Sequence, residues 1–119
     1  MGIGTDSCYP NLSTNNEMPM TFSELGLRDE LLQAIAEMGF VEPMPIQEQT
    51  IPALLERETD FVGLAQTGTG KTGAYGLPLL NRIEAGERVP QAVVLCPTRE
   101  LCLQIVDDLR QFARHLKGF

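Results

Sequence analysis

Apolar residues return at helical spacing between Arg28 and Met38, where Leu31, Leu32, Ile35 and Met38 share one face. This spacing predicts a helix. Asp29 and Glu30 in its first turn complement the helix dipole, and Gly39 reads as its C-terminal cap. Pro43 and Pro45 then force an extended bend. A second helix is expected from about Pro45 to about Glu56; proline is tolerated at its first position, whereas Pro52 is expected to bend or interrupt it. The pattern changes at Phe61. From there to Ala65 the run is short and nearly all apolar, as in a strand covered on both faces of a parallel sheet. A helix from about Gly70 to Glu84 follows, with Pro78 inside it, then a turn at "AGERVPQ" and a second apolar strand at "AVVLCP". The last helix, from about Arg99 to Leu116, presents Leu101, Ile105, Leu109, Phe112 and Leu116 on its apolar face. Strand, helix, strand, helix in this order implies a right-handed crossover in a parallel sheet, so the expected fold class is α/β. Residues 1–20 are rich in Asn, Ser, Thr and Pro without apolar period and read as a polar, disordered tail, which leaves 21–119 as the ordered part.

Composition narrows the class without naming a function. A chain of 119 residues supports one modest domain, and 43% hydrophobic with 21% charged residues is ordinary for a soluble globular protein. No apolar run approaches the roughly 18 residues of a membrane span, and the start lacks a signal peptide's basic and apolar regions. "MGIGTD" departs from the myristoylation pattern, because Asp6 stands where Ser or Thr is needed. A cytoplasmic location is expected. Cys8, Cys96 and Cys102 are odd in number and share no CxxC spacing, so they read as small buried thiols, not as a disulfide framework or zinc site. The net charge of -7 is uneven: residues 1–59 hold ten acids and two bases, residues 60–119 six acids and seven bases. A generic basic nucleic-acid binder is excluded; any such contact surface must be local.

The chemistry sits in "FVGLAQTGTGKTGAYGLPLL", Phe61 to Leu80. A loop that grips polyphosphate must bring several backbone N–H groups close, and side chains obstruct that approach. Gly68 and Gly70 supply bare backbone and unusual dihedrals, and the following helix aims its positive end at the phosphates. Lys71 offers a cation to the β and γ phosphates, and the Thr72 hydroxyl can bind Mg²⁺. Ala65 replaces the first Gly of GxxxxGK[ST], where the strand ends and the chemistry is little affected. GTPases, small-molecule kinases and motor ATPases all carry such a loop. Gln47 narrows the choice: its amide offers one acceptor and one donor, the complement of adenine's edge and not of guanine's. Phe22, upstream, could offer an aromatic face to the base. On residues alone, Phe22 reads first as a core aromatic and Gln47 first as a helix-capping or solvated amide.

Three stretches in order, "GFVEPMPIQ" (Gly39 to Gln47) with Phe22 upstream, "AQTGTGKT" (Ala65 to Thr72) and "PTREL" (Pro97 to Leu101), resemble the Q motif, motif I and motif Ia of the DEAD-box RNA helicases. The resemblance covers roughly residues 20–119 and implies a P-loop NTPase domain of RecA-like architecture, of which the chain would be the N-terminal portion. It implies ATP and Mg²⁺ as ligands, Phe22 stacking on adenine and Gln47 reading its edge. Gln66, Thr67, Gly68, Thr69 and Gly70 would wrap the phosphates, with Lys71 and Thr72 in the roles above. Thr98 and Arg99 would touch the RNA sugar-phosphate backbone without sequence preference.

The same resemblance places the hydrolytic carboxylates on a later strand and an arginine on a second domain. Asp107 and Asp108 are poor substitutes, because the apolar period around them is helical and turns them to the solvated side. No catalytic residue is therefore expected among these 119, and ATP turnover by this chain alone is not expected. His115 has no plausible partner in the sequence. Arg99, Arg110, Arg114 and Lys117 fall within a wedge of roughly 60° on the last helix, either an extended RNA track or a solvated face. Two strands without neighbours imply marginal stability, or pairing of edges between chains. The competing reading is a non-catalytic adenine-nucleotide-binding or interaction module.

Overall fold

In the computed structural model, residues 18–66, 68 and 70–119 are described. The expected tail lies outside them up to residue 17, and Met18 to Met20 carry no regular structure. A single 3₁₀ turn, Phe22–Leu25, leads to four helices: α1 (Asp29–Glu37), α2 (Pro45–Glu56), α3 (Lys71–Arg82) and α4 (Arg99–Phe112). All four stand where the apolar period placed them, within a few residues at each end. Two internal prolines are absorbed. Pro52 removes one donor from α2, yet the helix continues to Glu56, because Ile51 beside it is fully buried and packing against α3 holds the turn. Pro78 is likewise buried inside α3. α4 ends at Phe112, short of the expected Leu116, which is buried in the turn that follows.

The two expected strands are corrected by the structure: no strand occurs among the described residues, and neither 61–65 nor 92–97 joins a ladder. A helix closes its hydrogen bonds within itself, whereas a strand exists only beside another. The apolar side chains of these segments are accordingly bare, with Leu64 and Leu95 each 90% exposed.

What is buried is one helical core. Phe22, Leu25 and Leu27 meet Leu31 and Ile35 of α1, Ile51 of α2, Leu77 and Leu80 of α3, and Phe112, Ala113 and Leu116 at the end of α4. The front of α4 overhangs this core: Ile105 and Phe112 are its buried residues, while Leu101 and Leu103 are exposed. Where α3 crosses α4, Gly76 permits the approach, since a Cβ there would lie 2.7 Å from Leu109 Cδ2.

Polar ties fix the frame. The Arg28 N–H donates to Asn81 Oδ1 at 2.8 Å, joining the start of α1 to the end of α3. Arg82 donates to the carbonyls of Leu54 and Arg57, closing the C-terminal end of α2. Glu37 at the end of α1 receives Arg114 Nη1 at 3.1 Å and His115 Nε2 at 2.9 Å. These two hydrogen bonds hold the Glu37 carboxyl below the ordinary glutamate range. His115 thus has a partner that sequence spacing could not reveal. Within the basic stripe, Arg114 pairs with Glu37, Arg110 lies 3.9 Å from Asp107, and Lys117 lies beyond the end of α4.

Candidate nucleotide-binding site

The loop before α3 has the backbone that a phosphate grip needs. Gly68 and Gly70 both adopt the left-handed conformation, with φ of 77° and 82°, which favours glycine. Gly70 caps α3, and Lys71 is the first helical residue, exposed to solvent, with Thr72 half-buried behind it. The first N–H groups of a helix have no partner within it, so α3 points donors and the positive end of its dipole at this loop. A cleft of about 410 Å³ opens there, lined by Gly63, Leu64, Ala65, Gln66 and Lys71. Thr67 and Thr69, also expected to wrap phosphates, lie outside the described residues.

Gln47 ties the start of α2 to this loop, using one end of its amide for each. Its Oε1 accepts the Met44 N–H at 2.9 Å, capping the first turn of α2, and its Nε2 donates to the Gly70 carbonyl at 3.2 Å. A backbone donor at one end and a backbone acceptor at the other leave no doubt which way the amide points. Two glycines make room for it: a Cβ on Gly70 would stand 2.5 Å from Gln47 Nε2, and one on Gly73 2.7 Å. The helix-capping role that the sequence left open is therefore present, and it extends to the phosphate loop. Phe22 is 7% exposed and packs in the helical core, the second of its two sequence readings; in this arrangement its ring faces offer no open surface to a base. One turn beyond Gln47, Thr50 Oγ1 is buried without a partner among the described residues.

Tyr75, which sequence reasoning passed over, is half-buried on α3, one turn beyond Lys71 and Thr72. Burial raises its phenol above the ordinary value, the nearby Thr72 side chain offsets part of that rise, and the charges of Asp108 and Cys96 add to it. Asp108 is half-buried, not fully solvated as expected, and its carboxyl is raised by burial first and by Asp107 second. It lies on a helix and has no companion carboxylate arranged for metal; no group of three or more His, Cys, Asp or Glu able to hold a metal occurs among the described residues. Thr72 could give Mg²⁺ one hydroxyl ligand, and a six-coordinate ion would draw the rest from phosphates and water. Thr98 and Arg99 are exposed at the start of α4, where Thr98 Oγ1 accepts the Leu101 N–H at 3.2 Å.

A family model described as DEAD/DEAH box helicase matches residues 44–118, well over half of the 119. The chain belongs to the DEAD/DEAH box helicase family. Among curated DEAD-box proteins it is 46% identical over 102 residues to the ATP-dependent RNA helicase DeaD of Klebsiella pneumoniae, covering 86% of this chain and 16% of that one. It is 50% identical over 95 residues to the DEAD-box ATP-dependent RNA helicase CshA of Bacillus cereus, covering 80% and 18%. Solved DEAD-box structures superpose on it. Saccharomyces cerevisiae Dbp5 bound to RNA and ADP BeF3 gives a TM-score of 0.78 at 39% identity, over 82% of this chain and 25% of that one. A DEAD box protein from Methanococcus jannaschii gives 0.74 at 39% identity, over 78% and 25%. The chain thus spans less than a fifth of the length of these curated relatives. No helix among the described residues is long and apolar enough to cross a membrane.

Proposed function

We propose that this chain supplies the ATP-binding elements and one RNA-backbone contact of a cytoplasmic ATP-dependent RNA helicase. The observation that carries the reading is the loop of left-handed glycines feeding directly into α3, with Lys71 exposed at its start and Gln47 locked to its last carbonyl. Gln66 to Gly70 wrap the phosphates with backbone N–H groups, Lys71 neutralises charge on the β and γ phosphates, and Thr72 contributes its hydroxyl to Mg²⁺. Gln47 meets adenine with the lone pair and N–H that its two protein bonds leave over. Stacking by Phe22 requires its ring to move out of the core. Thr98 and Arg99 contact the sugar-phosphate backbone, which confers affinity without sequence preference.

In the same reading, 61–65 and 92–97 become strands of a RecA-like parallel sheet beside segments that the relatives possess and this chain does not span. In this reading hydrolysis belongs to those segments too, with Asp107 and Asp108 lying on a helix and not after a strand. Edge pairing between copies finds no support in the comparisons and is not part of the proposal. The test is a titration with a fluorescent adenine nucleotide: Lys71→Ala is expected to abolish most binding, and unchanged affinity would overturn the assignment. In an RNA-stimulated ATPase assay on this chain beside the longest natural product of its gene, turnover is expected only where the product carries the segments this chain does not span. Turnover by the 119-residue chain would refute that division of labour.

A further inference from the structure

We propose that Met44 forms the apolar wall of the base subsite, its thioether packing against the ring face of the nucleobase whose edge Gln47 meets. The inference rests on the nucleotide-binding reading above and adds to it the group that holds the base from its face. A base read along its edge still has two apolar ring faces to cover. Phe22, packed in the helical core, covers neither in this arrangement. Met44 is placed to do so. Leaving aside its chain neighbours, the three atoms nearest to a Cβ built on Gly70 belong to Gln47 and Met44, with Met44 Cγ at 3.2 Å. The two side chains together flank the last residue of the glycine loop before α3.

The local sequence explains why this side chain is free for the task. Met44 stands before α2 as its N-cap, in extended conformation, and its side chain makes no cap hydrogen bond. Capping falls instead to Gln47, whose Oε1 accepts the Met44 N–H at 2.9 Å. Pro43 before it is buried and Pro45 after it opens the helix, so the backbone has little freedom to swing the side chain away. Met44 nevertheless stays 42% exposed, beside a Gln47 amide that is almost wholly buried. A methionine side chain is unbranched, polarizable and adaptable, and its sulfur makes favourable contacts with aromatic rings at about 5 Å. It can therefore close on a flat base without a preformed slot. A ring face carries no hydrogen-bonding edge, so Met44 adds affinity for the base while the choice of base stays with Gln47.

The test uses the full 119-residue chain with ¹³C-methyl methionine, the Met44 resonance being assigned from its loss in Met44→Leu. ATP is expected to move that methyl resonance upfield, because the methyl then lies over an aromatic ring. Inorganic triphosphate fills the phosphate grip without a base and is expected to leave it nearly in place. In calorimetric titrations, Met44→Ala is expected to weaken ATP about two- to tenfold and triphosphate by clearly less. Met44→Leu keeps the apolar bulk and is expected to recover most of that loss, with far-UV circular dichroism confirming that the helices persist. An unmoved Met44 methyl in a chain saturated with ATP, or equal losses of ATP and triphosphate in Met44→Ala, would overturn the proposal and leave the phosphate grip standing. Failure of both ligands to bind the parent chain would instead overturn the nucleotide-binding reading, and this proposal with it.

Discussion

The α2–α3 joint and the two extended segments beside it are built from the same kinds of residue and meet opposite fates. Ile51, Leu77 and Leu80 are at most 1% exposed, whereas Val62, Leu64, Val93 and Leu95 range from 77% to 90%. The difference is in what each backbone needs from elsewhere. The helices satisfy their own hydrogen bonds and need only a neighbour for one face; the extended segments need a partner for every peptide group as well. Burial in this molecule is decided by that requirement before it is decided by hydrophobicity.

The contrast can be broken most forcefully at Leu77. Leu77→Ala is expected to destabilise the chain by about 2–5 kcal/mol in urea denaturation, while Leu95→Ala should stay within about 0.5 kcal/mol. Equal losses would mean that the extended segment is packed in solution. Next comes Gly73→Ala. The added methyl would press on an amide fixed at both ends, and a cost of about 1–3 kcal/mol with weakened nucleotide binding is expected. Gly76→Ala meets only the tip of Leu109, and the better helix propensity of alanine, worth about 1 kcal/mol, offsets that contact. A Gly73 variant as benign as the Gly76 one would show the Gln47 amide to be loosely held. A smaller effect of opposite sign is expected from Thr50→Val, which removes the unpartnered hydroxyl and should stabilise by about 1 kcal/mol.

The smallest effect is one of pH. The Glu37 carboxyl titrates lower in the folded chain than its ordinary value of 4.5, chiefly through its hydrogen bonds with His115 and Arg114. Its contribution is therefore complete above that ordinary value and is lost as pH falls through the lowered one. Glu37→Gln is expected to flatten this acid limb of the stability profile slightly. An unchanged limb would show the Glu37 contacts to be without consequence.

The four helices were legible because their signal is local: period, caps and first-turn charges lie within each segment. The left-handed glycines ahead of α3 were legible for the same reason. Partners far along the chain were not, and the clearest case is His115, whose Glu37 partner lies 78 residues away. Cys102 was misread because apolar period cannot show that the front of α4 projects past the core. Gln47 was read from what it could offer a base. Its bond to Gly70 depends on two glycines more than twenty residues downstream, which the loop pattern explains by phosphate alone.

That bond makes the space between Gly70 and Gly73 a keyed socket. It admits a side chain only if one end accepts a hydrogen bond and the other donates one, at the reach of a glutamine. A glutamate could still receive the Met44 N–H but would turn its second oxygen on the Gly70 carbonyl, and an asparagine would fall short by one methylene. The socket thereby makes the position of the glycine loop before α3 sensitive to a single carboxamide in another helix.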